Sequence, residues 1–122
     1  MFDGEDKDFL GDIELISSEL VTNAIRHEMR HGPAARNVAP GIWMGVVAAE
    51  RYCHLLVRDP YPVPLVPRRA AEDDENGRGL FIVKTLATAH WTEMRTYDKT
   101  VHAVIARPGI ELTVTELDRL RR

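Results

Sequence analysis

Two segments of the sequence are rich in β-forming residues, and each consists of two short runs separated by very few residues. "IWMGVVAAE" is followed at once by "RYCHLLVRD", and "WTEMRTY" is followed by "TVHAVIA" after a turn at Asp98-Lys99. Connections this short join antiparallel strands, because a parallel pair needs a crossover of about a dozen residues or more. The sequence therefore predicts two β-hairpins and a mainly antiparallel sheet.

Residues 9–28 carry the clearest helical signal. Apolar residues recur there at intervals of three and four, at Ile13, Ile16, Leu20 and Ala24. This spacing places them on one side of an amphipathic helix that packs against the rest of the protein. Gly32-Pro33 opposes continuation of a helix, so we expect this helix to end there and an irregular loop to run to Gly41.

Two further helices are predicted in the second half of the chain. One begins near Arg78, and the other is "TVTELDRLRR", which opens with the Thr113 to Glu116 pattern of a capping box. The order is then helix, hairpin, irregular loop, helix, hairpin, helix. We predict an α/β (α+β) two-layer sandwich, in which helices cover a mainly antiparallel mixed sheet. A length of 122 residues fits one domain over residues 1–122.

Composition excludes several classes of function. The 16 basic and 19 acidic residues give a net charge of −3, which is no footprint for direct nucleic-acid binding. Cys53 is the only cysteine and lies in an apolar run, so we expect it to be buried, with neither an internal disulfide nor a multi-cysteine zinc site. No apolar run approaches the roughly 18 residues of a membrane span, and the N-terminus is acidic where a signal peptide is basic. We expect a cytoplasmic protein that makes no membrane contact.

The stretch "SELVTNAIRH" places a carboxylate, Glu19, four residues before an amide, Asn23, on the first helix. Residues four apart on a helix lie on nearly the same face, so Glu19, Asn23 and His27 form one stripe and can converge on one ligand. The alternative is that they are solvated residues at the edge of the helix, which is the commoner origin of this spacing. His27 continues the stripe, and we interpret it, like His31, as a surface histidine, because no third metal ligand stands at suitable spacing.

Two later stretches carry further candidates. Asp59 closes the run "LLVRD" before a proline-rich segment, so its carboxylate is expected either at a strand end facing what that segment covers or in a turn before Pro60. In "NGRGLFIV", Gly77 and Gly79 let the backbone approach a ligand closely, and the N–H groups at a helix start favour a phosphate. The alternative for these glycines is a simple turn into the helix.

Taken in order, these stretches resemble the motifs of the GHKL ATPase family, and in particular the small histidine-kinase-like ATPase domains of bacterial anti-sigma factors. "SELVTNAIRH" resembles the asparagine box of that family, "VRDPYPVP" its adenine-binding aspartate segment, "GRGLFIVKTLA" its glycine box and "DKTVHAVI" its threonine-bearing strand. The resemblance implies a Bergerat-type ATP-binding fold, with ATP and Mg²⁺ as cofactors.

The resemblance also implies a role for each candidate residue. Asn23 would bind Mg²⁺, and Glu19 would be the catalytic residue that orients the attacking hydroxyl group. Asp59 would accept a hydrogen bond from the adenine amino group, with Thr100 assisting directly or through water. The phosphates would meet the glycine box at Gly77, Arg78, Gly79 and Leu80.

The implied function is that of an ATP-dependent protein serine/threonine kinase, which phosphorylates an anti-sigma factor antagonist protein and thereby controls a sigma factor. A non-catalytic nucleotide-sensing or protein-binding module with the same fold is the main alternative, and the catalytic fragment of a sensor histidine kinase is a third.

Two departures from the family pattern bear on this choice. The family's D-x-G-x-G segment reads Asp59-Pro60-Tyr61-Pro62-Val63 here, so both of its glycines are replaced. The first helix begins close to Met1, where the family usually has a preceding strand and helix. A core shortened in this way would expose a sheet edge, which favours pairing with a partner protein or a homodimer.

Overall fold

The computed structural model describes the backbone of residues 4–35, 41–60 and 81–122, and the side chains of these residues apart from 4–5 and 28–35. The elements run in the order α1 (Gly4–Ala35), β1 (Trp43–Ala48), β2 (Tyr52–Asp59), α2 (described over 81–86), β3 (Ala89–Met94), β4 (Lys99–Ala106) and α3 (Val114–Arg121). This order confirms the predicted α+β sandwich. The predicted start of α2 near Arg78 lies outside the described residues.

The sheet has four strands in the order β1-β2-β4-β3, and each neighbouring pair is antiparallel. Both predicted hairpins are confirmed, one formed by β1 and β2 and the other by β3 and β4. In the second turn, the backbone N–H of Arg95 donates to the carbonyl of Asp98 over 2.9 Å. Lys99 is therefore the first residue of β4, and the prediction that placed it in the turn is wrong.

α1 covers the two central strands, β2 and β4. Alternate residues of a strand point to the same face, and those that face α1 are apolar along most of both strands. With α1 and α2 they form the buried core, which comprises Phe9, Ile16, Leu20, Ala24, Cys53, Leu55, Val57, Val83, Val101, Ala103 and Ile105. The expected burial of Cys53 is confirmed. By the same alternation, the residues on the face towards α1 are polar where β2 ends and β4 begins.

α1 is longer than the sequence predicts, since it begins at Gly4 and continues through Gly32-Pro33 to Ala35. Pro33 fixes φ at a value that a helix accommodates and removes one backbone donor. Because Pro33 lies within the last turn, the loss is confined to the helix end. The predicted stop at Gly32-Pro33 is therefore wrong.

α3 begins with the predicted capping box. The backbone N–H of Glu116 donates to Oγ1 of Thr113 over 3.1 Å, and the backbone N–H of Thr113 donates to Oε1 of Glu116 over 3.0 Å. Nε of Arg51, in the turn after β1, donates to Oε2 of Glu116 over 2.9 Å. α3 is thereby held against the β1–β2 turn by an exposed ion pair.

None of the helices in the described ranges combines the length and the apolar character that a membrane crossing requires.

Candidate functional site

Polar side chains meet on the α1 face of the sheet, where β2 ends and β4 begins. Asp59 lies two residues after Val57 and Lys99 two residues before Val101, so both point towards α1, and the two are direct partners in the β2–β4 register. A cavity of about 10 Å³ lies between them and the helix, and it is lined by Leu20, Asn23, Ala24, His27, Val57, Asp59, Lys99 and Val101. This volume is close to the minimum that one water molecule needs.

Asn23 contributes an amide to the cavity. Its residue is 5% exposed, and within the described part of the chain neither Oδ1 nor Nδ2 has a hydrogen-bond partner. A buried polar group left without a partner costs about 1–3 kcal/mol, and such groups are rare in native proteins. An amide in this state is suited to a ligand that supplies its missing partners.

Asp59, His27 and Lys99 form a buried polar cluster beside this amide. Oδ2 of Asp59 lies 2.7 Å from Nδ1 of His27 and 3.7 Å from Nζ of Lys99, and Nζ lies 2.9 Å from the same Nδ1. Asp59 and Lys99 are each only 1% exposed, so their charges are almost wholly removed from water. Burial lowers the pKa of Lys99, and the nearby Asp59 carboxylate opposes that shift.

The contacts within the cluster depend on which ring nitrogen of His27 carries the hydrogen. Nδ1 carries a hydrogen when it donates to Asp59, and it offers a lone pair when it accepts a hydrogen bond from Lys99. One nitrogen cannot do both at once, so the contacts of 2.7 and 2.9 Å are alternatives set by the tautomer. The three groups therefore act as one coupled unit.

The structure brings together some of the predicted site residues and not others. Asn23 and Asp59 line one cavity, and Glu19 lies one helical turn before Asn23 and is half-buried. Thr100 lies between Lys99 and Val101 on β4, so its side chain is on the opposite face of the sheet. Its partner in the β2–β4 register is Arg58. The structure does not bring Thr100 to Asp59. Gly77, Arg78, Gly79 and Leu80 lie outside the described residues.

Two residues of the cluster lie elsewhere than the sequence predicts, His27 at the surface and Lys99 in a turn. His27 is 7% exposed, so its interpretation as a surface histidine is wrong. The signal was present, because His27 lies one helical turn after Asn23 on the same face. Lys99 lies two residues before the apolar Val101, and strand alternation extended backwards from Val101 would have placed it on the core face.

Comparison with known proteins identifies a family. The family model described as the histidine kinase-like ATPase domain matches residues 3–107, which include every residue that lines the cavity. No curated protein and no solved structure gives a significant match.

Proposed function

The chain belongs to the histidine kinase-like ATPase domain family, and from this premise we propose that it binds Mg²⁺-ATP and phosphorylates a serine or threonine of a partner protein. The observation that carries the proposal is the buried amide of Asn23, which lacks partners within the described residues and shares its cavity with Asp59. A nucleotide site of this family needs a metal ligand on the helix, here α1, and a hydrogen-bond acceptor for the adenine base at the strand end, here β2.

Asn23 fits the role of a Mg²⁺ ligand. Mg²⁺ takes oxygen ligands in octahedral geometry and is commonly held by one or two protein groups together with phosphate oxygens and water. The Oδ1 atom of Asn23 is such an oxygen, and it is buried without a competing hydrogen bond from the described residues. When bound, Mg²⁺ would neutralise charge on the phosphates.

Glu19 is the residue we assign to the attacking hydroxyl group of the partner. It lies one turn before Asn23 on α1, so the rigid helix fixes its distance from the amide. A carboxylate placed in this way can orient a hydroxyl and accept its proton, and such positioning contributes about 10²–10⁴-fold to a rate. The partner we propose is an anti-sigma factor antagonist protein, through which the chain would control a sigma factor.

A specific observation favours the second candidate, a non-catalytic nucleotide-sensing or protein-binding module with the same fold. Asp59, which would accept the adenine amino group, already has Nδ1 of His27 at 2.7 Å and Nζ of Lys99 at 3.7 Å. These contacts would lower the affinity for nucleotide while leaving Glu19 and Asn23 in place. Binding and phosphate transfer must therefore be measured separately.

The test is a comparison of wild type, Glu19→Gln and the control Glu14→Gln, which alters an exposed residue of the same helix. Binding of Mg²⁺-ATP is measured by titration calorimetry, and transfer of labelled phosphate to candidate partner proteins is followed in parallel. We expect all three proteins to bind, and Glu19→Gln alone to lose transfer by about 10²-fold or more. Binding without transfer in wild type would select the sensing module, and no binding at all would overturn the proposal.

A further inference from the structure

We propose that Lys99 is an internal competitor of the adenine base for Asp59, so that nucleotide enters the site only when the Lys99 side chain leaves it. The inference rests on the proposed function, since it takes Asp59 as the acceptor for the base. It adds to that function a residue of the chain itself that sets the affinity.

Asp59 is already surrounded by potential N–H donors of the protein. An adenine amino group is an N–H donor, and the ammonium of Lys99 and the ring nitrogen of His27 are also potential N–H donors. They lie 3.7 and 2.7 Å from the same carboxylate oxygen, Oδ2. Oδ2 of Asp59, which the base would need as an acceptor, is therefore already in contact with side chains of the protein.

The cavity beside Asp59 is too small for a nucleotide base. The cavity measures about 10 Å³, enough for about one water molecule, whereas small-molecule sites measure about 300–1,000 Å³. A base enters only if part of the wall moves. The walls formed by Leu20, Ala24, Val57 and Val101 belong to the packed core or lie directly against it. These side chains are not free to withdraw without opening the core.

Lys99 is a part of the wall that can move. It is the first residue of β4 and directly follows the turn at 95–98, so its side chain is attached at the end of the sheet. A lysine side chain has a long flexible stem that lets its ammonium reach water while the stem stays against apolar surface. Outside the cavity the ammonium would regain the hydration that burial removes, which offsets part of the lost attraction to Asp59.

The consequence is a reduced apparent affinity. A ligand that binds only the Lys99-out state has its dissociation constant raised by the inverse of that state's population, so a population of about 10% costs about tenfold. Removing the ammonium should remove the part of this penalty that Lys99 imposes. The expected sign is unusual, because loss of a cation then strengthens the binding of an anion.

The first measurement compares wild type with Lys99→Met, which keeps a long apolar stem and carries no N–H donor. Calorimetric titrations use Mg²⁺-ATP and, separately, adenosine, which has no phosphate for a lysine to attract. We expect Lys99→Met to bind both about tenfold more tightly than wild type. A lysine that binds the phosphates would instead give weaker ATP binding in the variant and unchanged adenosine binding. Lys7→Met, at an exposed position of α1, is the control.

The second measurement uses the wild-type protein and does not depend on the folding of a variant. The chain has three lysines, Lys7, Lys84 and Lys99, so amine acetylation followed by mass spectrometry reports each one separately. Lys7 and Lys84 are exposed and Lys99 is 1% exposed. We expect Mg²⁺-ATP to accelerate acetylation of Lys99 and to leave Lys7 unchanged, whereas a lysine that contacts the nucleotide would be protected.

The outcomes separate the inference from the proposed function. Tighter binding by Lys99→Met, together with ATP-enhanced acetylation of Lys99, supports both. Wild-type binding combined with weaker or unchanged binding by Lys99→Met, or with protection of Lys99, overturns the inference and leaves the proposed function standing. If Lys99→Met does not fold, the acetylation of wild type decides alone. Absence of binding by wild type and variant overturns the proposed function, and the inference falls with it.

Discussion

Nδ1 of His27 lies 2.7 Å from Oδ2 of Asp59, and this contact ties the second half of α1 to the end of β2 across 32 positions of the sequence. Both residues are buried, so the contact is protected from water. Asn23 lies one helical turn from His27, and its place in the cavity depends on the same docking of helix on sheet. The buried pair therefore has a structural role beside any role in nucleotide binding.

The first prediction concerns the energy of this pair. Asp59→Asn removes the carboxylate beside the buried ammonium of Lys99, and breaking a buried pair in this way costs about 3–5 kcal/mol. His27→Ala removes one hydrogen-bonding partner and should cost about 1–3 kcal/mol. Urea denaturation of the two single variants and the double variant should give a coupling energy of about 0.5–3 kcal/mol.

The control cycle combines Asp59→Asn with His90→Ala, at a half-buried position of β3. We expect the effects of these two substitutions on the free energy of unfolding to be additive. Additive effects for His27 and Asp59 would contradict the contact.

The fold was predictable because its signals are local. Hairpins and the capping box of α3 depend on residues close together in sequence, and their periods and spacings are visible without a structure. The helix end was predicted less well, because the effect of Pro33 depends on where the helix stops for other reasons. The hydrophobic pattern was sufficient for the layers of the fold but not for their exact limits.

The candidate site was predictable only in part. Asn23 and Asp59 each carry a local motif, but the contact between Lys99 and His27 joins residues 72 positions apart. It arises from the pairing of β2 with β4, two strands that are not consecutive, and from the register that sets Asp59 opposite Lys99. A shift of one residue in that register would turn Lys99 to the other face and bring Thr100 to the cavity. Register between distant strands is not encoded in a short motif.

The second prediction separates function from stability at Asn23. Its amide is buried without partners from the described residues. The substitution Asn23→Leu puts an apolar side chain there and so removes a group that is costly to bury. We expect the free energy of unfolding to be unchanged or to rise by up to about 1–3 kcal/mol, so the urea midpoint should not decrease. Mg²⁺-dependent ATP binding should be lost. Calorimetry with and without Mg²⁺ measures the binding. Ser18→Leu, at an exposed position of the same helix, controls for the helix propensity of leucine. A less stable variant with undiminished Mg²⁺-dependent binding would refute the assignment.

A histidine pair lies on the sheet face opposite α1. Nε2 of His102 lies 3.2 Å from Oε1 of Glu93, and a carboxylate only accepts, so this nitrogen is the donor. In the neutral ring Nδ1 of His102 is then an acceptor, and Nε2 of His54 donates to it over 3.0 Å. The Trp91 ring stacks on His102 with centroids 4.7 Å apart. These two hydrogen bonds fix the tautomer of both neutral rings.

The third prediction is that His54 makes stability fall in mild acid. Burial, and then the charge of His102, lowers the pKa of His54 from its ordinary value of 6.5. In mild acid, His54 therefore binds a proton more readily in the unfolded chain than in the folded protein. The contribution of His54 is present above about pH 6.5 and decreases as the pH falls below that value. His54→Gln keeps a donor for His102 but does not titrate.

Urea midpoints of wild type and His54→Gln, measured between about pH 7.5 and about pH 5.5, test this prediction. We expect the midpoint of wild type to decrease more steeply, because the other titrating groups are common to both proteins. Parallel curves would show that His54 takes up its proton equally in the folded and unfolded states.

The fourth prediction concerns Cys53, whose thiol is a reporter of opening of the core. Cys53 is 4% exposed, and burial raises the pKa of its thiol, an effect that the charge of Arg107 opposes in part. Because the thiolate is the reactive form, both exposure and ionisation limit its reaction. We expect a disulfide reagent at pH 8 to react on the order of 1,000-fold more slowly in the native protein than in urea. Ala48 is the direct partner of Cys53 in β1 and is exposed, so Ala48→Cys combined with Cys53→Ala places the thiol beside the original site. That control should react rapidly without denaturant, and rapid native labelling of Cys53 itself would show that β2 is not held in the core.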